Sequence, residues 1–247
     1  MMLENEAAHR AEHLRDKKAT ADASWKKEWG KQDYGAWEKF KTLGPLFDEL
    51  QKEGKIGELV VDVGSNYFPV SQHIPGKHKI ITLDITGQET SLNMRVLHNE
   101  TLHVRHDAEH VSQPTAFDSK RALVKIAEFL GVDSRNEKDR KYADTILFSE
   151  ILNYVDFRSV LSGFSAHLKP GGRFIIINQP ERGYEELFSE AGVKDNGELK
   201  EFLASQGFEI EKTVYPWRVE GPWSHGLDMI FLVARKEAAL TGLPPRH

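Results

Sequence analysis

Along this chain the spacing of apolar positions changes near residue 58. Ahead of that point the apolar residues recur at helical intervals. Phe40, Leu43, Leu46, Phe47 and Leu50 make one face, with Trp25, Trp29 and Trp37 close to the same spacing and Gly30 and Gly35 interrupting it. Residues 1–50 are therefore expected to form an amphipathic helical extension, whose first 20 residues are polar enough to fray or to contact a partner. Beyond it, short apolar runs predict strands at 58–63, 79–84, 102–106, 144–149 and 173–178. Helical patterns lie between them: a short one after Asn66, then one near 92–97, one at 119–130 and one at 157–168. Strands that alternate with helices predict crossover connections and a mainly parallel sheet. Two more helical pieces, 184–191 and 198–206, and two more strands, 208–215 and 227–234, close the pattern. Residues 133–141 are charged and aperiodic, as in a surface loop, and 237–247 read as a mobile tail.

Length and charge narrow the class. At 247 residues the chain fits one α/β domain, here 51–236, carrying the helical extension. No apolar run approaches the roughly 20 residues that span a bilayer. The N-terminus is charged and lacks the apolar core of a signal peptide, so a cytoplasmic location is expected. A net charge of −5 leaves no electrostatic footprint for nucleic acid, which is not expected as a partner. The chain contains no cysteine. That excludes disulfides, cysteine-bound zinc, iron–sulfur clusters and any mechanism through a cysteine adduct.

The candidate chemistry sits where apolar runs end. Leu59-Val60-Val61-Asp62-Val63-Gly64-Ser65-Asn66 is a strand that closes on an acid and a glycine turn, and 22 residues after Asp62 the run Ile80-Ile81-Thr82-Leu83 ends in Asp84. Gly64 lets the backbone turn sharply and approach a ligand closely. Asp84 can accept hydrogen bonds from both hydroxyls of a ribose. After the third strand comes His106-Asp107-Ala108-Glu109-His110-Val111, and the fourth runs Asp144-Thr145-Ile146-Leu147-Phe148-Ser149 into Glu150, Asn153 and Tyr154. Leu168-Lys169-Pro170-Gly171-Gly172-Arg173-Phe174 reads as a turn into the fifth strand.

Taken in order over residues 58–178, these segments resemble the class I S-adenosylmethionine (SAM)-dependent methyltransferases. The resemblance implies a three-layer Rossmann-like fold, with a seven-stranded, mostly parallel sheet whose last strand is antiparallel. It also implies SAM as cofactor and S-adenosylhomocysteine as product. By the same resemblance Asp62, Gly64, Ser65 and Asn66 would meet the methionine part, and Asp84 the ribose. Asp107 and the Ala108 N–H would hold adenine, and Ser149 and Glu150 would lie near the methyl-transfer centre. The family commonly has a second glycine in the first turn. Here Asn66 stands in its place, a residue that tolerates left-handed backbone.

The methyl acceptor is expected to be a small, aromatic or apolar molecule. Its walls are sought in Tyr34, Trp37, Asn153, Tyr154, Trp217 and Trp223, with His225 as a candidate base in a loop bounded by Gly221, Pro222 and Gly226. No metal site is expected: His106 and His110 flank two acids, but no matching cluster lies elsewhere, so a hydrogen bond or a surface position suits them better. Transfer would then be a metal-independent in-line displacement to oxygen or nitrogen. Open alternatives are a protein or RNA methyltransferase, a decarboxylated-SAM aminopropyltransferase, and a non-catalytic subunit that has kept the fold. The N-terminal helix could serve as a lid or swap onto a second copy, which leaves a homodimer open.

Overall fold

The computed structural model describes residues 38–65, 69–85, 100–111, 122–132, 141–179, 189–217 and 229–237, together with position 19. Seven strands form one sheet: β1 (Leu59–Val63), β2 (Lys79–Asp84), β3 (Glu100–Arg105), β4 (Ala143–Ser149), β5 (Leu168–Asn178), β6 (Phe208–Trp217) and β7 (Met229–Lys236). Their order is β3-β2-β1-β4-β5-β7-β6. β1, β2, β3, β4 and β5 pair in parallel, and β7 runs antiparallel to both β5 and β6. The expected sheet, with its antiparallel last strand, is the one observed.

The inner strands are continuous apolar runs because both of their faces are covered. On one face lie α1 (Glu38–Lys52) and the 3-10 turn Val70–His73, which bury Leu43, Phe47, Leu50, Val70 and Ile74 against Val60, Leu147, Ile175, Ile177 and Phe231. On the other, α2 (Ala122–Leu130), α3 (Phe157–Ser165) and α4 (Asn196–Ser205) bury Ile126, Phe157, Phe164 and Leu203 against Val61, Leu83, Phe148, Phe174 and Leu232. Phe148 anchors that second layer, edge-on to Phe174 with ring centroids 5.2 Å apart and to Phe164 at 5.6 Å. Among the described residues no helix is long and apolar enough to cross a membrane.

Several boundaries differ from the sequence reading. The helix expected over 157–168 stops at Ser165, where His167 N–H donates to the Phe164 carbonyl. Leu168 then joins the sheet beside Ala143, so β5 begins ahead of Pro170 and not after it. The Pro-Gly-Gly stretch still bends the chain. The next pairing is Thr145 with Arg173, so β5 bulges there, and Gly171 supplies a φ of 76°. β3 likewise starts two residues early, because backbone pairing of Lys79 with Glu100 needs no apolar side chain.

α3 starts abruptly because Asp156 caps it. One carboxylate oxygen accepts from Arg158 N at 3.1 Å and Ser159 N at 3.3 Å, and the other from Ser159 Oγ at 2.6 Å. These bonds, the Ser159 hydroxyl foremost, hold the carboxyl below its ordinary value. Asp156→Ala is expected to lower stability by about 1 kcal/mol. A urea unfolding curve with an unshifted midpoint would show that the cap contributes nothing.

Candidate active site

In this strand order β2 and β4 flank β1, and the chain leaves β1 toward β2 and β3 before crossing back to β4. Ligands in open parallel sheets bind at such a reversal, beyond the carboxyl ends of the strands. The residues that follow β1, β2, β3, β4 and β5 therefore share one rim.

The turn after β1 touches the turn after β4. Gly64 has φ 79°, and a Cβ placed on it would lie 2.7 Å from Ile151 Cβ. Its N–H donates to the Leu83 carbonyl at 2.9 Å, which ties the turn to β2. No side chain fits at this position, and the backbone lies bare. Beside it Asp62 is wholly buried. Its Oδ2 accepts from Ser71 N at 2.9 Å, while Oδ1 has no hydrogen-bond partner among the described residues. Burial pushes the carboxyl up to about 6, and the neighbouring Asp84 charge adds to that, whereas the bonds from Ser71 pull it down. Asp84, also buried, ends β2, and its carbonyl accepts from His106 N at 2.8 Å.

The segment after β3 is a short 3-10 turn, Ala108–His110, capped by Asp107, which accepts from Glu109 N at 3.0 Å. Asp107 and Ala108 are buried at the rim, one strand outward from Asp84. His106 is buried, not on the surface, and its Nε2 bonds the His110 carbonyl at 2.8 Å. Burial lowers its affinity for a proton. Asp107, Glu109 and His110 bring one ligand atom each within 4.8 Å of one another. Both acids already have structural uses, since Glu109 Oε1 accepts from Asp156 N at 2.7 Å. We assign no metal to them.

After β4, Ser149 is half-buried and Glu150 has φ 53°, the one non-glycine positive φ among the described residues. A left-handed glutamate is held at a cost of about 1–3 kcal/mol, and such residues cluster at functional sites. The Glu150 N–H donates to the Ile177 carbonyl at 2.8 Å, which locks the turn onto β5. Tyr154 is half-buried, its N–H bonded to the Ile151 carbonyl at 2.9 Å. Asn153 is buried, and both ends of its amide are engaged: Nδ2 with the Gln179 carbonyl at 2.6 Å, Oδ1 with Asn178 Nδ2 at 2.9 Å. That engagement makes Asn153 a brace between the β4 and β5 ends.

The rim thus gathers Asp62, Gly64, Ser65, Asp84, Asp107, Ala108, Ser149 and Glu150. Tyr34, Trp37, Asn66, Trp223 and His225 lie outside the described residues, as does the helical piece expected near 92–97, whereas the short one expected after Asn66 is seen as the 3-10 turn Val70–His73. Of Trp217 only the backbone, at the end of β6, is described. Sequence reasoning assigned no site role to Ser71, Glu109, Asn178 or Gln179. Asn178 could have been found by the signal that found Asp62 and Asp84, a polar residue closing an apolar run. Ser71 carries no such mark, because its role depends on a turn folding back over β1.

No protein-family model matches the chain, and no curated protein matches it in sequence. Solved structures do match. The Burkholderia thailandensis 1,6-didemethyltoxoflavin-N1-methyltransferase, solved with 1,6-didemethyltoxoflavin and S-adenosylhomocysteine, superposes with a TM-score of 0.57 at 17% identity, over 91% of this chain and 90% of that one. The N-methyltransferase NodS from Bradyrhizobium japonicum WM9, in complex with S-adenosylhomocysteine, gives 0.53 at 11% identity, over 81% and 89%. The CurJ carbon methyltransferase gives 0.50 at 15% identity, over 78% of this chain and 52% of that one. The chain has the Rossmann-like fold of the class I SAM-dependent methyltransferases.

Proposed function

We propose that the protein is a SAM-dependent methyltransferase that acts on an oxygen or nitrogen of a small aromatic or apolar molecule, without a metal. Fold alone does not establish function. The observation that carries the reading is the set of groups at the ends of β1 and β2: a bare glycine backbone at Gly64 beside the buried carboxylates of Asp62 and Asp84, with Asp62 Oδ1 lacking a donor among the described residues. A buried carboxylate oxygen in this state is best compensated by a cationic donor. The α-ammonium group of a methionine moiety is such a donor, and it would lie against the Gly64 backbone. Ser65 and Asn66 follow, in the turn whose N–H groups suit the α-carboxylate. Asp84 accepts from the ribose hydroxyls, and Asp107 with the Ala108 N–H takes the adenine edge.

Bound SAM supplies a methyl group already activated on a positive sulfur. What the chain must do is align the acceptor, exclude water and take up a proton. Glu150 and Ser149 stand at the rim where the acceptor would meet the cofactor, and Glu150 is a candidate for the proton. Tyr34, Trp37, Tyr154, Trp217 and Trp223 as pocket walls and His225 as a base complete the reading, with residues 1–50 as a lid. A cytoplasmic enzyme, monomeric or dimeric through that lid, is the expected setting.

Calorimetric titration with SAM and with S-adenosylhomocysteine tests the core of this. Binding near 1 μM, about −8 kcal/mol, is expected. Asp84→Ala should weaken it roughly a hundredfold or more, the worth of two hydrogen bonds to a charged acceptor. Well-folded protein that binds neither ligand would sink the reading.

A further inference from the structure

The brace between the β4 and β5 ends fixes the orientation of its amides. The Gln179 backbone carbonyl can only accept, so the Asn153 group facing it at 2.6 Å is the NH2. Asn153 must then present Oδ1 to Asn178, and Asn178 must answer with its own NH2, at 2.9 Å. This order leaves Asn178 Oδ1 as the surplus atom. It is buried, and no donor reaches it among the described residues. Gln179 Oε1, one residue on, is in the same state. Each buried acceptor left unmet costs about 1–3 kcal/mol. Two of them stand next in register to Glu150, whose backbone is itself strained. Local rules broken together at one strand end mark a functional position.

The same edge is one-sided in charge. Positions 149–156 and 177–179 contain Glu150 and Asp156 but no lysine, arginine or histidine. Such an edge offers lone pairs and opposes a phenolate or carboxylate, which would bring more of them.

We propose that the methyl acceptor is a nitrogen compound that presents N–H, such as an aromatic amine, a lactam or an N–H heterocycle, and that Asn178 Oδ1, with Gln179 Oε1, recognises it. This rests on the methyltransferase reading and narrows it. Asn153 is the positioning residue, because its two hydrogen bonds fix the Asn178 amide with its NH2 in the brace and its oxygen left over.

Matched pairs in which N–H is replaced by O test the proposal by binding rather than by turnover. Protein saturated with S-adenosylhomocysteine is titrated with benzimidazole against benzoxazole, and with isoquinolin-1-one against isocoumarin. The N–H member of each pair should bind at least about tenfold tighter, since a site built to pair an N–H rejects the analogue without it. In Asn178→Leu that preference should shrink below about twofold while S-adenosylhomocysteine affinity is kept. Should Asn178→Leu fail to fold, the wild-type preference stands as the test, with Gln179→Leu as the second variant. Equal binding within both pairs, preference for the oxygen members, or binding of neither pair overturns the proposal. Failure to bind S-adenosylhomocysteine in the first titration instead removes the methyltransferase reading beneath it.

Discussion

Gly64→Ala is expected to destabilise the protein by about 2–5 kcal/mol and to abolish measurable cofactor binding. Two costs add. An alanine held at φ 79° costs about 1–2 kcal/mol. The added methyl meets Ile151 Cβ at 2.7 Å, and forcing extra volume into a packed place costs about 1–3 kcal/mol. Ile151 cannot swing aside, because the contact is with its Cβ and not with a flexible end, so the turn after β4 must move. Gly54 supplies the control: its φ is 65°, but a Cβ there meets nothing within 4 Å. Gly54→Ala should therefore lose only the backbone part, about 1–2 kcal/mol. Chemical denaturation of the two variants side by side, with titration of S-adenosylhomocysteine, separates strain from collision. Equal losses in the two would mean that the two turns do not press on each other.

Asp62→Asn should act in opposite directions on stability and on binding. Asp62 has a folded value of about 6 against an ordinary 3.8, so folding disfavours its charged form. Between those values the native state holds more protons than the unfolded one, and stability falls as pH rises. Above pH 7 the full penalty applies, about 3 kcal/mol for a change of that size. The asparagine variant escapes it and keeps an acceptor for the Ser71 N–H. At pH 8 it should be more stable than wild type by about 2–3 kcal/mol, or roughly 5–10 °C in Tm. The gap should narrow as pH falls and close below about pH 3, where Asp62 is protonated in both states. Affinity for SAM should drop roughly tenfold to a hundredfold, because a neutral amide replaces the ion partner of an ammonium group. In wild type the affinity should also decline below about pH 6. An asparagine variant no more stable than wild type at pH 8 would mean that Asp62 is not burdened by its burial.

The parts of this molecule that were legible in the sequence are those that local chemistry determines. β2 was read to the residue, since Ile80, Ile81 and Leu83 are buried between layers and Asp84 marks the rim. Asp62 and Gly64 were legible for the same reason: an acid closing an apolar run is costly unless something uses it. What local patterns could not give was set by distant partners. Nothing near Asn153 announces that its amide will be engaged by residues 25 and 26 positions later. The left-handed backbone of Glu150 is equally silent, because it arises from the clasp of its N–H on β5. The early start of β5 follows from pairing with Ala143, across a bulge that Pro170 and Gly171 appear to forbid when read alone.

β7 is the last strand of the seven in sequence, yet it lies between β5 and β6. During synthesis, therefore, β5 is finished long before its second neighbour exists, and β6 emerges before the strand it pairs with. A nascent chain stopped short of Met229 holds Ile175 and Ile177 beside a row of unanswered backbone N–H and C=O groups, the kind of edge that recruits strands from other chains. The Asn178 end of that open edge is the end that carries the candidate acceptor site. Completion of the sheet and of the candidate site are thus coupled, since both wait for residues 229–236 to reach the edge of β5.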